Sequence, residues 1–386
     1  MSRHDFQIPV TFKHRVVFTR DAFSPENPEL AEILREGGGR RALVLVEEAV
    51  AAAWPGLLAE IEACFGRLDV EFRGIRILPG GEPVKADDSW VRESWRLIDA
   101  AHLDRHSYVL AIGGGAFLDM VGFAAATAHR GVRLVRFPTT TLAQDDSGVG
   151  VKCAINAFDK KNWIGAFAVP FAVINDFRFL HSQDENTRRA GLIEAVKVAL
   201  VKDAVFFQWI ESNLAALAAL EPAILEACVE KSALLHACHI AGEGDPFETG
   251  SSRPLDFGHW AAHKLEALTS YQLSHAPAVA VGVALDTLYS TRAGLAPASL
   301  AERVFPVLAG LKLEIYHPAL DWLDESGSRR VLDGLDEFRE HLGGELTVLM
   351  LQDVGRGVDV HRIDPALVGM CIDELSALRG FRAVAG

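Results

Sequence analysis

The chain has 386 residues, enough for two domains that each bury a core, and with 49% apolar and 23% charged residues its composition is that of an ordinary folded protein. A formal charge of −14 at pH 7 argues against a surface that seeks nucleic acid or anionic membrane, since both reward basic patches. The five cysteines (Cys64, Cys153, Cys228, Cys238, Cys371) are odd in number and lack CxxC spacing, so neither a disulfide framework nor a thiolate zinc site is suggested.

The N-terminus carries no apolar stretch of signal-peptide length and charges interrupt every longer apolar run, so a cytoplasmic protein with no membrane span is expected. Up to about residue 180, short apolar or β-branched runs alternate with amphipathic stretches. "RALVLV" (41–46), "SYVLAIGGG" (107–115), "VRLVRFPTT" (132–140) and "FAVINDF" (171–177) read as buried strands, with helical "DSWVRESWRLIDAAHL" between two of them. That alternation predicts a parallel sheet flanked by helices. From about 183 onward Ala/Leu/Glu-rich stretches predict a helical second domain, with "GELTVLMLQ" (344–352) as one strand-like exception. The expected division is 1–180 and 181–386, with the ligand site in the cleft between.

Several stretches carry chemistry. In "LAIGGGAFLDMVGFAAATAHRG" (110–131) a buried strand runs into three glycines and then a helix, an arrangement that lets backbone approach a pyrophosphate but also occurs as a plain tight turn. "PGGEPVKADD" (79–88) places Glu82 and Lys85 in what reads as a solvated polar loop. In "FPTTTLAQDDSGVGVKCAIN" (137–156) a strand leads into threonines, two acids, small residues and Lys152, and "DKKNWIGAF" (159–167) adds Lys161 and Asn162. "LDFGHWAAHKLE" (255–266) sets His259 and His263 four apart on a helix, with His275 following; by spacing alone the first two look like a ligand pair, or like ordinary histidines on a helix face.

In order, "GGGAFLD", "HRG", "PTTTLAQDDSGVGVK", "KKNWIGAF", "EAVK" and "LDFGHWAAHKLE" resemble the motifs of the 3-dehydroquinate synthase-like sugar phosphate cyclases over most of residues 40–290. The resemblance implies an α/β N-terminal dinucleotide-binding (Rossmann-like) domain and a mainly α-helical C-terminal metal-binding domain. It implies NAD held by Glu82, Lys85, Gly114, Gly115, Asp119, Thr139, Thr140 and Lys161, with Glu47 where the family has an aspartate near the adenosine ribose. Zinc ligation falls on Glu194, His259 and His275, a set that cobalt would also accept. Family cyclisation oxidises a substrate alcohol with bound NAD, eliminates phosphate, returns the hydride and closes a ring by intramolecular aldol. Lys152, Asn162 and Arg130 match the phosphate cradle, the arginine reaching across from a second subunit of a homodimer. Asp146, Lys197 and His263 match groups that bind hydroxyls and relay protons.

The chain departs from 3-dehydroquinate synthase where that enzyme holds a substrate carboxylate. Counting back from His259, the family lysine and arginine are Cys238 and Ser252, the asparagine of NFGH is Asp256, and a C-terminal substrate lysine gives way to Glu340 or His341. Every change removes positive charge or adds negative charge, which predicts a neutral phosphorylated ketose. "FREHLGG" and the aspartate before FGH are more similar to branches that make valiolone-type cyclitols from sedoheptulose 7-phosphate, such as 2-epi-5-epi-valiolone synthase. Metal-dependent alcohol or glycerol dehydrogenases share the layout but need no phosphate cradle; 3-dehydroquinate synthase proper and a non-catalytic binding protein are the other readings.

Overall fold

The structure, a computed structural model, describes residues 2–158, 160–242, 246–248, 254–341 and 344–378, with the His341 side chain outside that description. Among the described residues ten strands form: β1 (Val16–Thr19), β2 (Arg41–Glu47), β3 (Glu71–Leu78), β4 (Tyr108–Gly113), β5 (Arg133–Pro138), β6 (Lys152–Ala157), β7 (Lys160–Phe167), β8 (Ala172–Asp176), β9 (Val348–Asp353) and β10 (Arg356–Val360). Six of them make an all-parallel sheet in the order β1-β8-β5-β4-β2-β3.

Continuous apolar runs suit this sheet because helices cover both faces. In β2, Val44 and Val46 pack on one face with Leu34, Ile61 and Phe65, while Leu43 and Leu45 pack on the other with Val91, Ile98 and Leu118. Each such side chain contributes roughly 1.5–3 kcal/mol on full burial. The chain leaves β2 for β3 at one edge, then returns to β4 on the other side of β2. Loops after β2 and β4 therefore part, leaving a crevice at the carboxyl ends where Glu47 and Gly113 stand.

After the 3-10 turn Phe177–Ser182, helices take over around a separate apolar core. The Asp184 side chain accepts from the amides of Asn186 and Thr187, starting helix Glu185–Lys202. Residues 191–201 of that helix are all buried, so it runs through the middle of the helical region and carries Glu194 and Lys197 inward. Helices His259–Leu268 and His275–Arg292 meet closely at Gly258 and Gly282, where a Cβ on Gly282 would lie 2.0 Å from the Gly258 carbonyl oxygen. Among the described residues no helix is long and apolar enough to cross a membrane.

Three local expectations are corrected. The Glu82–Lys85 loop is a 3-10 turn with Lys85 buried. The stretch after β5 is a π-helical turn, Ala143–Ser147, followed by the antiparallel hairpin β6–β7. The C-terminal strand begins at Val348 and pairs with β10, which no sequence signal marked.

Candidate active site

At the crevice the Glu47 carboxylate accepts from the amides of Gly114 (2.6 Å) and Gly81 (3.2 Å), joining the ends of three strands. The turn has no space for side chains: a Cβ on Gly113 would lie 2.7 Å from Glu47, and one on Gly115 2.7 Å from Ser147 Oγ. Open backbone at the start of helix Gly115–Thr127, with its unpaired first amides, suits a pyrophosphate. Thr139 donates its amide to Gly113 (3.0 Å), and Thr140 lies beside Gly114, where a Cβ would come 3.3 Å from its methyl.

Next to this turn a polar network links elements distant in sequence. Lys85 Nζ donates to Asp119 Oδ2 (2.6 Å) on the glycine-turn helix and to Asn162 Oδ1 (2.5 Å) on β7. Glu82 accepts from Asn156 on β6 (3.1 Å), whose own oxygen accepts the Asn162 amide (2.9 Å). The loop between β5 and β6 is pinned from below by buried Arg136, which donates to the carbonyls of Gly148 (3.2 Å), Gly150 (2.6 Å) and Lys152 (3.0 Å). Gln144 donates to Pro138 and Asp176, so the π turn that presents Asp146 is fastened to the sheet.

Glu194, His259 and His275 come from three different helices, and one ligand atom of each lies within 4.8 Å of the others. His263, Glu266 and His275 form a second group that meets the same criterion. His259 Nδ1 sits 3.2 Å from the Phe257 carbonyl, which assigns its proton to Nδ1 and leaves Nε2 as a lone pair. One carboxylate and two imidazoles, with further positions open to substrate oxygens, fit a catalytic zinc or cobalt.

The charges around this group are balanced in pairs. Burial alone would lower the Lys197 pKa, but Glu194, in direct contact, and Asp146, 4.0 Å away, raise it above the ordinary lysine value. Burial opposes ionisation of Asp146 too, yet Lys197 and His236, whose Nδ1 is 2.9 Å off, hold it well below the carboxylate range. Asp145, fully buried beside it, is pushed well above that range by burial and then by Glu194 and Asp146. Burial and then Lys197 push His259 well below its usual value, and burial brings His263 down to about 4, so both are neutral at pH 7. Asp256 stays at about 2 despite burial, because the Lys152 and Lys197 ammonium groups favour its charge.

Asp286 accepts from the Gly258 amide (3.0 Å) and the Trp260 indole (2.8 Å), tying the start of the His259 helix to the His275 helix; burial pushes its carboxyl up to about 7.

The structure thus gathers Glu194, His259, His275, Lys197, Asp146, His263 and Asp256 in one cluster, and Glu47, Glu82, Lys85, Gly114, Gly115, Asp119, Thr139, Thr140 and Asn162 around the crevice. Lys161 spans the two, with Nζ 2.5 Å from Glu266. Lys152 is exposed and paired with Glu248 (2.6 Å). Arg130 stands exposed beyond the far end of the glycine-turn helix, with φ +64° and no ion pair among the described residues. Cys238 is exposed, while Ser252 and the His341 side chain lie outside the described residues. Arg136, His236, Glu266 and Asp286 were not expected. Only Arg136 had a signal, a lone charge at a buried position of an apolar strand.

Comparison with known proteins places this geometry. Family models described as 3-dehydroquinate synthase N-terminal and C-terminal match residues 75–190 and 191–328. The chain is 34% identical to the 3-dehydroquinate synthase of Bradyrhizobium sp., covering 86% of each chain, and 35% identical to that of Paracoccus denitrificans, covering 87% of this chain and 90% of the relative. Among solved structures it is similar to ValA, a 2-epi-5-epi-valiolone synthase from Streptomyces hygroscopicus subsp. jinggangensis with NAD+ and Zn2+ bound, at 26% identity and TM-score 0.86, covering 97% of this chain and 99% of that one. A 2-deoxy-scyllo-inosose synthase complexed with carbaglucose-6-phosphate, NAD+ and Co2+ shares the fold at 21% identity and TM-score 0.74, covering 93% and 96%. With contiguous family matches over residues 75–328 and relatives above 30% identity along most of its length, the chain belongs to the 3-dehydroquinate synthase-like sugar phosphate cyclase superfamily.

Proposed function

We propose that the chain is an NAD- and zinc-dependent homodimeric cyclase that converts a neutral phosphorylated ketose, sedoheptulose 7-phosphate, to a carbocyclic cyclitol with release of phosphate, a carbon–oxygen lyase reaction. The observation that carries the substrate class is Asp256. Its carboxylate is held ionised by the Lys152 and Lys197 ammonium groups. A substrate carboxylate placed there would meet like charge, whereas a hydroxyl would donate to it. Exposed Cys238 supplies no cation to offset that charge. Similarity to ValA supports the same reading.

Bound NAD would supply a transient oxidation of the substrate and zinc the polarisation of its oxygens. Glu194, His259 and His275 would hold the metal, and Glu47, Glu82, Lys85, Gly114, Gly115, Asp119, Thr139, Thr140 and Lys161 the cofactor. Protonated Lys197 between Glu194 and Asp146 orients substrate hydroxyls, and neutral His263 accepts a proton within the pocket. Lys152 and Asn162 meet the leaving phosphate. Arg130 stands exposed beyond the far end of the glycine-turn helix, and in this reading it serves the phosphate of a second copy.

A second reading, 3-dehydroquinate synthase proper, is favoured by the names of the curated relatives. The two are separated by giving the zinc- and NAD-loaded enzyme sedoheptulose 7-phosphate and 3-deoxy-heptulosonate 7-phosphate in parallel and following released phosphate. The proposal expects turnover of the first; turnover of the second alone would overturn it.

A further inference from the structure

Glu266 ends the stretch "GHWAAHKLE" and lies only 2% exposed on helix His259–Leu268, where an ionised carboxylate needs partners. Among the described residues it has two, one on strand β7 and one on the neighbouring helix. Oε1 accepts from Lys161 Nζ (2.5 Å), which arrives on β7, and Oε2 is 3.2 Å from Nδ1 of His275. A carboxylate can only accept, so Nδ1 of His275 carries the ring proton. The other nitrogen, Nε2, is then a lone pair, and it faces Glu194 at 4.0 Å.

We propose that Glu266 is a positioning residue: it fixes the Nδ1–H form and ring orientation of His275 so that Nε2 is presented to the metal, while Lys161 holds its second oxygen and thereby its direction. The inference rests on Glu194, His259 and His275 being the metal site. It also accounts for the second metal-compatible group, His263, Glu266 and His275. Both oxygens of Glu266 are committed to donors, so an ion bound through either one would have to displace Lys161 or His275. Ligand histidines held in this way lose roughly 10–100-fold in metal affinity when the carboxylate is removed.

The test is Co2+ binding to the purified full chain, read from the visible absorption of the bound ion in competition with a chelator. The wild type is expected to take one ion per chain. Glu266→Gln offers one acceptor oxygen to two donors. The amide oxygen goes to the charged ammonium, and its NH2 then faces Nδ1 of His275, which accepts only by moving its proton to Nε2. Affinity is therefore expected to fall roughly 10–100-fold. In Lys161→Met/Glu266→Gln the oxygen returns to His275, and affinity should recover by about tenfold over E266Q. A merely structural contact would not be rescued by deleting a second buried partner.

Wild-type affinity in E266Q, a double variant no tighter than E266Q, or two ions per wild-type chain would overturn the proposal. Should E266Q fail to fold, histidine 15N spectra of the wild type decide: His275 protonated on Nδ1 is expected, and protonation on Nε2 would overturn it. A wild-type chain that binds no Co2+ would remove the metal reading itself, a result distinct from one ion bound without dependence on Glu266.

Discussion

Lys85 is the perturbation that reports most directly on the cofactor crevice. Its ammonium is 2.6 Å from Asp119 Oδ2 and 2.5 Å from Asn162 Oδ1, and its side chain is 3% exposed against 24% for Asp119. At that separation and an effective dielectric near 20, the attraction to Asp119 is about 6 kcal/mol, most of it offset by desolvation of the two groups. Removing one member of a buried pair costs about 3–5 kcal/mol, because the other stays buried without its partner. Water at the exposed edge of Asp119 takes up part of that, so Lys85→Met is expected to lose about 3 kcal/mol in equilibrium urea unfolding of the apo chain. Asp119→Asn in the K85M background removes the stranded charge, and the double-mutant cycle should return a coupling of about 2 kcal/mol. In calorimetric titration, K85M should also bind NAD at least about tenfold more weakly, or 1.4 kcal/mol. A coupling below about 0.5 kcal/mol would refute the reasoning, since Lys85 and Asp119 would then be neighbours that do not interact.

Two further outcomes follow from the pocket. Asp286 has a folded pKa of about 7 against an ordinary 3.8, so the folded state binds its proton more tightly; the stability this contributes, about 4 kcal/mol, is fully present below pH 4 and is lost as pH rises through 7. Urea unfolding should show the wild type losing about 2–3 kcal/mol relative to Asp286→Asn between pH 5 and pH 8, and parallel curves would contradict the assignment. If Arg130 acts across a dimer, a doubly tagged heterodimer of Arg130→Ala and Lys197→Met chains has one intact site and should recover about half the wild-type phosphate release per dimer. A heterodimer as inactive as its parents would place Arg130 in its own subunit.

The sheet was legible because β2, β4, β5 and β8 are buried on both faces and so read as largely apolar runs, with Arg136 the charge inside β5. Hairpin β6–β7 was not, because most of β7 is exposed and a bulge between Ile155 and Ala157 breaks the alternation that would have marked it. Lys85 read as solvated because its partners are 34 and 77 residues away, a pairing that only the fold creates. The same holds for Glu194, whose place beside His259 and His275 no local spacing could indicate; the resemblance named it. Spacing alone favoured His259 with His263, and the structure leaves each of them in a separate metal-compatible group that shares His275. Glu266, His236 and Asp286 sat in stretches that look like ordinary helix, and their roles arise from contacts across helices.

In the proposed reaction NAD serves within the catalytic cycle and is restored at its end. The most direct test follows inorganic phosphate and absorbance at 340 nm in one cuvette holding enzyme, zinc, NAD and sedoheptulose 7-phosphate. Steady phosphate release over many turnovers with no net NADH is predicted. NADH accumulating without phosphate would mark a dehydrogenase and contradict the account.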